Sequence, residues 1–200
     1  MDAIDVAWVG REEKGDENLA LRYLGAALVE AGHRPHVIPL CGPESLARAA
    51  DAIRRLGAPL VGISIPDADI AVDGLAFVRF LRRGGYAGHV TCGGALATLV
   101  RHEILSKHPG VDTGVRHDGE ATIVARAERV ARGGSCAGVP GVSTRDGDGP
   151  PAPVAVPQPQ PPGGVPVSSR PLVGSSSSLG GLSGATGSQV PPRQTSPGSH

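Results

Sequence analysis

The chain has 200 residues, a formal net charge of zero and 2% aromatic residues, a length that suits one ordinary domain with an extension. The balanced charge and the lack of a basic stripe argue against nucleic acid as a partner. No apolar run approaches the roughly 18 residues that cross a bilayer, which argues against a membrane partner.

Strand and helix signals alternate from the start of the chain. Apolar and β-branched runs predict five strands, at residues 4–9, 35–40, 59–65, 89–92 and 111–115. Apolar residues at helical spacing follow each run and predict five helices, the fourth of them continuous through Leu96, Leu99, Val100 and Ile104. Glycines such as Gly32, Gly57 and Gly84 follow the repeats, as expected for helix ends.

Five successive strand–helix units predict an α/β fold with a parallel sheet and right-handed crossovers. We expect a flavodoxin-like, Rossmann-type, doubly wound five-stranded sheet in the order 2-1-3-4-5. In such a sheet the ligand lies beyond the carboxyl ends of the strands. The site is therefore expected in the loops after Val9, Ser64, Cys92 and Val115.

The composition changes after Asp146. Of the 19 prolines, 12 follow this residue, and residues 147–200 hold three charged residues and no aromatic one. Such a segment cannot bury enough apolar surface to offset its ordering entropy. We therefore expect a binding domain at residues 1–146 and a disordered Pro/Gly/Ser-rich tail or linker at residues 147–200. An out-of-frame reading of a GC-rich gene would give a similar composition, and both explanations of the tail stay open.

Polar or glycine-rich groups follow four of the predicted strands. Glu17 and Asn18 lie in the acidic loop before the first helix, where Asp16 is a candidate cap. Ser64 ends the central strand, and a hydroxyl at that point either bonds to the backbone or contacts a ligand. Gly93 and Gly94 form a tight turn or leave space for a ligand. No P-loop, dinucleotide fingerprint or nucleophile elbow occurs.

Several stretches together resemble the B12-binding domain that precedes the catalytic domain of cobalamin-dependent radical SAM enzymes of the methyltransferase type. The resemblance runs in order over residues 3–146. It is carried by ENLALRYLGAALVEAGHRPHVI at 17–38, VGISI at 61–65, CGGALAT at 92–98, GVDTGVRHDGEATI at 110–123 and GVPGVSTRD at 138–146.

The resemblance implies that cobalamin is the cofactor and that its nucleotide tail inserts beside Ser64 and the glycine pair. It implies these cofactor-binding residues: Glu17, Asn18, Leu19, Ser64, Ile65, Pro66, Gly93, Gly94, Ala95, Thr98, Gly119 and Glu120. The Asp-x-His-x-x-Gly motif that supplies a cobalt ligand in methionine-synthase-like domains is absent, and we assign no metal ligand and no catalytic residue.

The resemblance is incomplete because no Cys-x3-Cys-x2-Cys motif for an iron–sulfur cluster is present. We therefore expect a corrinoid-binding module that depends on a separate catalytic chain for chemistry. The cysteines Cys41, Cys92 and Cys136 match neither a disulfide framework nor a zinc site. With no signal-peptide pattern at the amino terminus, they favour a cytoplasmic location with reduced thiols.

Two other functions remain open. A flavodoxin-like domain could bind flavin or a nucleotide, but the loop GREEKGDEN at 10–18 carries four acids that would repel phosphate. Alternatively, the domain serves as an interaction or remnant domain that has lost its ligand. Fold alone does not decide between these functions, whereas strong corrinoid binding would.

Overall fold

The computed structural model describes residues 2–11 and 18–153. In these ranges the chain folds into a seven-stranded sheet with α-helices on both faces. The elements in chain order are β1 (Asp5–Gly10), α1 (Leu19–Glu30), β2 (Arg34–Pro39), α2 (Leu46–Leu56), β3 (Leu60–Ser64), α3 (Ala68–Arg83), β4 (His89–Gly93), α4 (Ala95–Leu99), α5 (Arg101–Lys107), β5 (Thr113–Val115), α6 (Glu120–Ala131), β6 (Val142–Thr144) and β7 (Gly147–Asp148).

The first five strands are parallel and lie in the order β2-β1-β3-β4-β5. This confirms the predicted flavodoxin-like arrangement. β3 pairs with β1 on one side and β4 on the other, and its first four residues are buried. A central strand covered on both faces explains why the sequence PLVGISI is almost entirely apolar.

The sequence predicts five strands, but the sheet has seven. β6 pairs antiparallel with β5, and β7 pairs antiparallel with β6. These strands have three and two residues. They are too short, and their flanking sequence is too rich in glycine, to show an alternating apolar pattern. Side chains hold the hairpin in place. Arg101 contacts Asp148 at 2.6 Å, and Ser143 Oγ donates to the same carboxylate at 2.6 Å.

The helices divide between the two faces of the sheet. One apolar core includes residues of α2, α3, α4 and α5, and it packs on the face that carries Val61 and Ile63. A second, smaller core joins α1 and α6 to the face that carries Trp8 and Leu60. In the described part of the chain, no helix is long and apolar enough to cross a membrane.

Two local details differ from the sequence prediction. The predicted fourth helix is two helices, because the backbone breaks at Val100 with φ −108° and ψ 22°. The side chain of Asn18 caps α1 by accepting a hydrogen bond from the Leu21 N–H at 3.3 Å. Asp16, the candidate cap from the sequence, lies outside the described residues. Gly57 ends α2 in the left-handed conformation, as predicted.

His89 gives stability a pH dependence. Burial, and next the charge of Arg126, lower the pKa of His89 to about 4 from 6.5. The folded state therefore favours the neutral ring, and stability is lost as the pH falls from about 6.5 through 4. We expect the wild type to lose roughly 1–2 kcal/mol more than His89→Gln between pH 7 and pH 4, allowing for partial exposure. Urea unfolding at both pH values measures this.

The control is Ser106→Gln, a replacement at an exposed residue that does not titrate. This variant should keep the wild-type pH dependence. Equal losses in the wild type and in His89→Gln would contradict the assignment of the effect to His89.

Candidate cofactor-binding site

A cavity of about 150 Å³ opens at the carboxyl edge of the sheet, between the strands and the amino-terminal parts of α1 and α6. Its wall is mainly apolar, with a few polar groups near the loops. The lining residues are Trp8, Ala20, Leu21, Leu24, Ile63, Ser64, Thr91, Gly93, Gly94, Val115, His117, Asp118, Gly119, Glu120 and Ile123. The cavity therefore lies at the sheet edge where the strand order predicts a ligand site.

Trp8 lines the cavity from β1 and rests against the backbone of β3. In the register of the sheet, Trp8 is the partner of Gly62. A Cβ atom at Gly62 would lie 1.9 Å from Cζ3 of the indole. The missing side chain of Gly62 therefore provides the space in which the large ring is buried.

The two glycines of the turn after β4 are not equally required. Gly94 has φ +111°, and a Cβ there would lie 2.7 Å from the carbonyl oxygen of Ile65. A Cβ at Gly93 would meet nothing closer than Val115 Cβ at 3.6 Å, which is an ordinary contact. Gly94 is thus required by the turn itself, whereas Gly93 leaves open space beside the cavity.

Thr98 joins the two loops at the mouth of the cavity. Its hydroxyl donates to the Gly94 carbonyl at 3.0 Å and accepts from the His117 N–H at 3.1 Å. His117 has φ +56°, a left-handed conformation that is uncommon for a residue with a side chain. Such conformations are held by surrounding contacts and cluster at functional sites.

Two buried polar atoms at the cavity have no hydrogen-bond partner among the described residues, namely Nε1 of Trp8 and Oε2 of Glu120. Leaving a buried donor or acceptor unpaired costs about 1–3 kcal/mol. The hydroxyl of Thr91, by contrast, has a partner, because it accepts a hydrogen bond from the fully buried Arg126. Among the described residues, these two atoms are unpaired and closed to solvent, so a ligand in the cavity would reach them after a small shift of the side chains.

Five of the sequence-predicted site residues line this one cavity: Ser64, Gly93, Gly94, Gly119 and Glu120. The others lie elsewhere. Asn18 caps α1, and Thr98 joins the two loops. The remaining side chains are exposed at Leu19, Pro66 and Ala95, and buried in the core at Ile65. Glu17 lies outside the described residues.

Sequence reasoning missed Trp8, Thr91 and Val115 as lining residues. One signal was available, because side chains two apart on a strand share a face. Thr91 and Gly93 are two residues apart on β4 and therefore lie on the same face of the sheet. This spacing predicts that Thr91 lies next to Gly93 on the side of the cavity. Trp8 gave no such signal, since its place under the cavity depends on Gly62 of the neighbouring strand.

Solved structures share this fold. The radical S-adenosylmethionine methyltransferase TsrM from Kitasatospora setae, with cobalamin and a 4Fe-4S cluster bound, matches with a TM-score of 0.62 and 21% identity over 78% of this chain. The cobalamin-dependent S-adenosylmethionine radical enzyme OxsB, with aqua-cobalamin and S-adenosylmethionine bound, matches with a TM-score of 0.64 and 14% identity over 77% of this chain. This chain spans 30% of the length of the first and 23% of the second. No curated protein matches the chain.

The strand order and the edge cavity define a flavodoxin-like ligand-binding domain. The sequence model described as the B12 binding domain matches residues 16–127, which is more than half of the chain. The chain belongs to the B12 binding domain family, and the predicted family relationship is confirmed.

The two glycines after β4 make a matched pair for mutation. We expect Gly94→Ala to lower the free energy of unfolding by roughly 2 kcal/mol or more, because alanine is strained at φ +111° and its Cβ meets the Ile65 carbonyl. Gly93→Ala should change it by less than about 1 kcal/mol. Chemical denaturation of both variants measures the difference. Equal effects at the two positions would show that the turn does not depend on Gly94.

Proposed function

We propose that the cavity between the strand ends and helices α1 and α6 binds the nucleotide tail of cobalamin, with the residues of its mouth facing the corrin ring. The observation that carries the proposal is the convergence of Ser64, Gly93, Gly94 and Glu120 on one cavity at the carboxyl edge. Membership of the B12 binding domain family names the cofactor.

The residues present fit an aromatic base with a polar attachment. A cavity of about 150 Å³ holds a benzene ring in another protein, so this one has room for at least one ring of an aromatic base. Apolar side chains such as Leu21, Leu24 and Ile123 would cover the ring faces. The unpaired Trp8 and Glu120 atoms would pair with polar atoms of the ligand.

Each residue has a defined task in this proposal. The Ser64 hydroxyl would hydrogen-bond to the tail, and Gly93 would leave space beside it. Thr98 would keep the loops containing Gly94 and His117 at the separation that the ligand requires. When bound, cobalamin supplies a cobalt centre that can carry a methyl group.

A larger cavity of about 310 Å³ on the other face of β3 is a poorer candidate. Its lining shares Ser64 with the first cavity and includes the charged side chains of Arg11, Glu44, Asp69 and Asp73. A lining with this many charged groups is a poorer surface for an aromatic base than the mainly apolar wall of the smaller cavity. The smaller cavity has Asp118 and Glu120 only at its loop side, next to the amino terminus of α6.

The wider setting follows from the same proposal. The domain would present its cofactor to a separate catalytic chain, and the sequence beyond the β6–β7 hairpin would serve as a linker. The boundary between the domain and the linker, expected at residue 146, would then lie a few residues further along the chain, because Gly147–Asp148 forms β7. A cytoplasmic location fits the buried Cys92 and Cys136, which form no disulfide.

The test is titration of the full chain with hydroxocobalamin, followed by visible absorption and gel filtration. The wild type should co-elute with the corrinoid. Ser64→Leu should weaken binding by roughly tenfold or more, because the larger side chain occupies the cavity and overpacking costs about 1–3 kcal/mol.

Ser106→Leu is the matched control, since Ser106 is exposed on α5 on the opposite face of the sheet. Its affinity should equal that of the wild type. If the folded wild type binds no corrinoid at high micromolar concentration, the cobalamin proposal is wrong. If Ser64→Leu binds as tightly as Ser106→Leu, the proposed location is wrong.

A further inference from the structure

Trp8 is the only tryptophan in the chain, and its surroundings are unusual for a core residue. Its side chain is 4% exposed and lines the cavity, yet its Nε1–H has no hydrogen-bond partner among the described residues. Buried indole N–H groups normally have a partner. Phenylalanine would fill much of the same space without an unpaired donor, so packing alone does not account for tryptophan here.

The described neighbours of Trp8 explain why none of them provides a partner. On the adjacent strand, the residue facing the ring is Gly62, which has no side chain to accept a hydrogen bond. The hydroxyl of Thr91, a second lining group, already accepts from Arg126. The carboxylate of Glu120 also lines the cavity, but its Oε2 is itself unpaired.

We propose that Trp8 is a specificity-determining residue whose Nε1–H would donate a hydrogen bond to the nitrogen of the cofactor's nucleotide base that cobalt releases when the tail enters the cavity. This inference rests on the proposed function, since it assumes that the base enters the cavity. After a small shift of the indole, an aromatic nitrogen acceptor would satisfy the unpaired donor, and the flat indole would provide an apolar wall for the flat base. Trp8 would therefore select corrinoids that carry a nucleotide base over those that lack one.

The experiment compares hydroxocobalamin with cobinamide, a corrinoid without the nucleotide, by equilibrium dialysis against the full chain. The wild type should bind hydroxocobalamin more tightly than cobinamide. Trp8→Phe keeps an aromatic, though smaller, side chain and removes the donor. It should weaken hydroxocobalamin binding by about tenfold and leave cobinamide binding unchanged.

Tyr86→Phe is the matched control, because it also removes one polar hydrogen from an aromatic side chain. Tyr86 lies against the core on the other face of the sheet, and its hydroxyl donates to the Ala58 carbonyl at 2.8 Å. Its affinities for both corrinoids should match those of the wild type. An unchanged hydroxocobalamin affinity in Trp8→Phe, or an equal loss for both corrinoids, would overturn the role of Trp8.

A second measurement does not depend on any variant folding. In wild-type protein labelled with ¹⁵N, Trp8 gives the single indole N–H signal. Hydroxocobalamin should shift this proton downfield, as expected for a new hydrogen bond, whereas cobinamide should leave it near its free position. Binding of hydroxocobalamin without a downfield shift would overturn the Trp8 inference and leave the proposed function standing. Absence of hydroxocobalamin binding would overturn both.

Discussion

The contact between Gly94 and the end of β3 is the constraint on which the site depends. The Ile65 N–H donates to the Gly93 carbonyl at 2.7 Å, and the Ile65 carbonyl accepts from the Ala97 N–H at 3.3 Å. These bonds bring the turn after β4 so close that a Cβ at Gly94 would collide with the Ile65 backbone. Because the turn is held there, α4 begins immediately and presents Thr98 to the next loop. The mouth of the cavity is therefore set by one backbone contact.

The indole of Trp8 forms the floor of the cavity. It fits there because Gly62 on the neighbouring strand has no side chain. Next to it, the fully buried Arg126 donates a hydrogen bond to the hydroxyl of Thr91. Burial lowers the pKa of Arg126, because the charged form loses solvation. The α1–α6 face thus combines a small apolar core with polar groups whose hydrogen bonds are incomplete, as expected where a ligand completes the packing.

The cavity and the loop sequences help to choose between the functions that the fold alone leaves open. A flavin or nucleotide domain would need a phosphate-binding loop, whereas the sequence at 10–18 carries four acids. A domain without a ligand would have no reason to retain an unpaired indole N–H beside a cavity. Family membership and the cavity support the same conclusion, although they are independent observations.

The sequence predicts the parallel order of the first five strands, because near-continuous apolar runs alternate with helical repeats that end at glycine. It also predicts the edge at which a ligand is expected, since the carboxyl ends of parallel strands meet there. Which residues meet in the cavity depends on contacts that form only in the folded chain. Ser64 and the glycine pair line it, whereas Ile65 faces the core, one residue further along the chain. Trp8 and the β6–β7 hairpin were likewise beyond prediction, because both depend on contacts between residues far apart in sequence, such as Trp8 with Gly62 and Arg101 with Asp148.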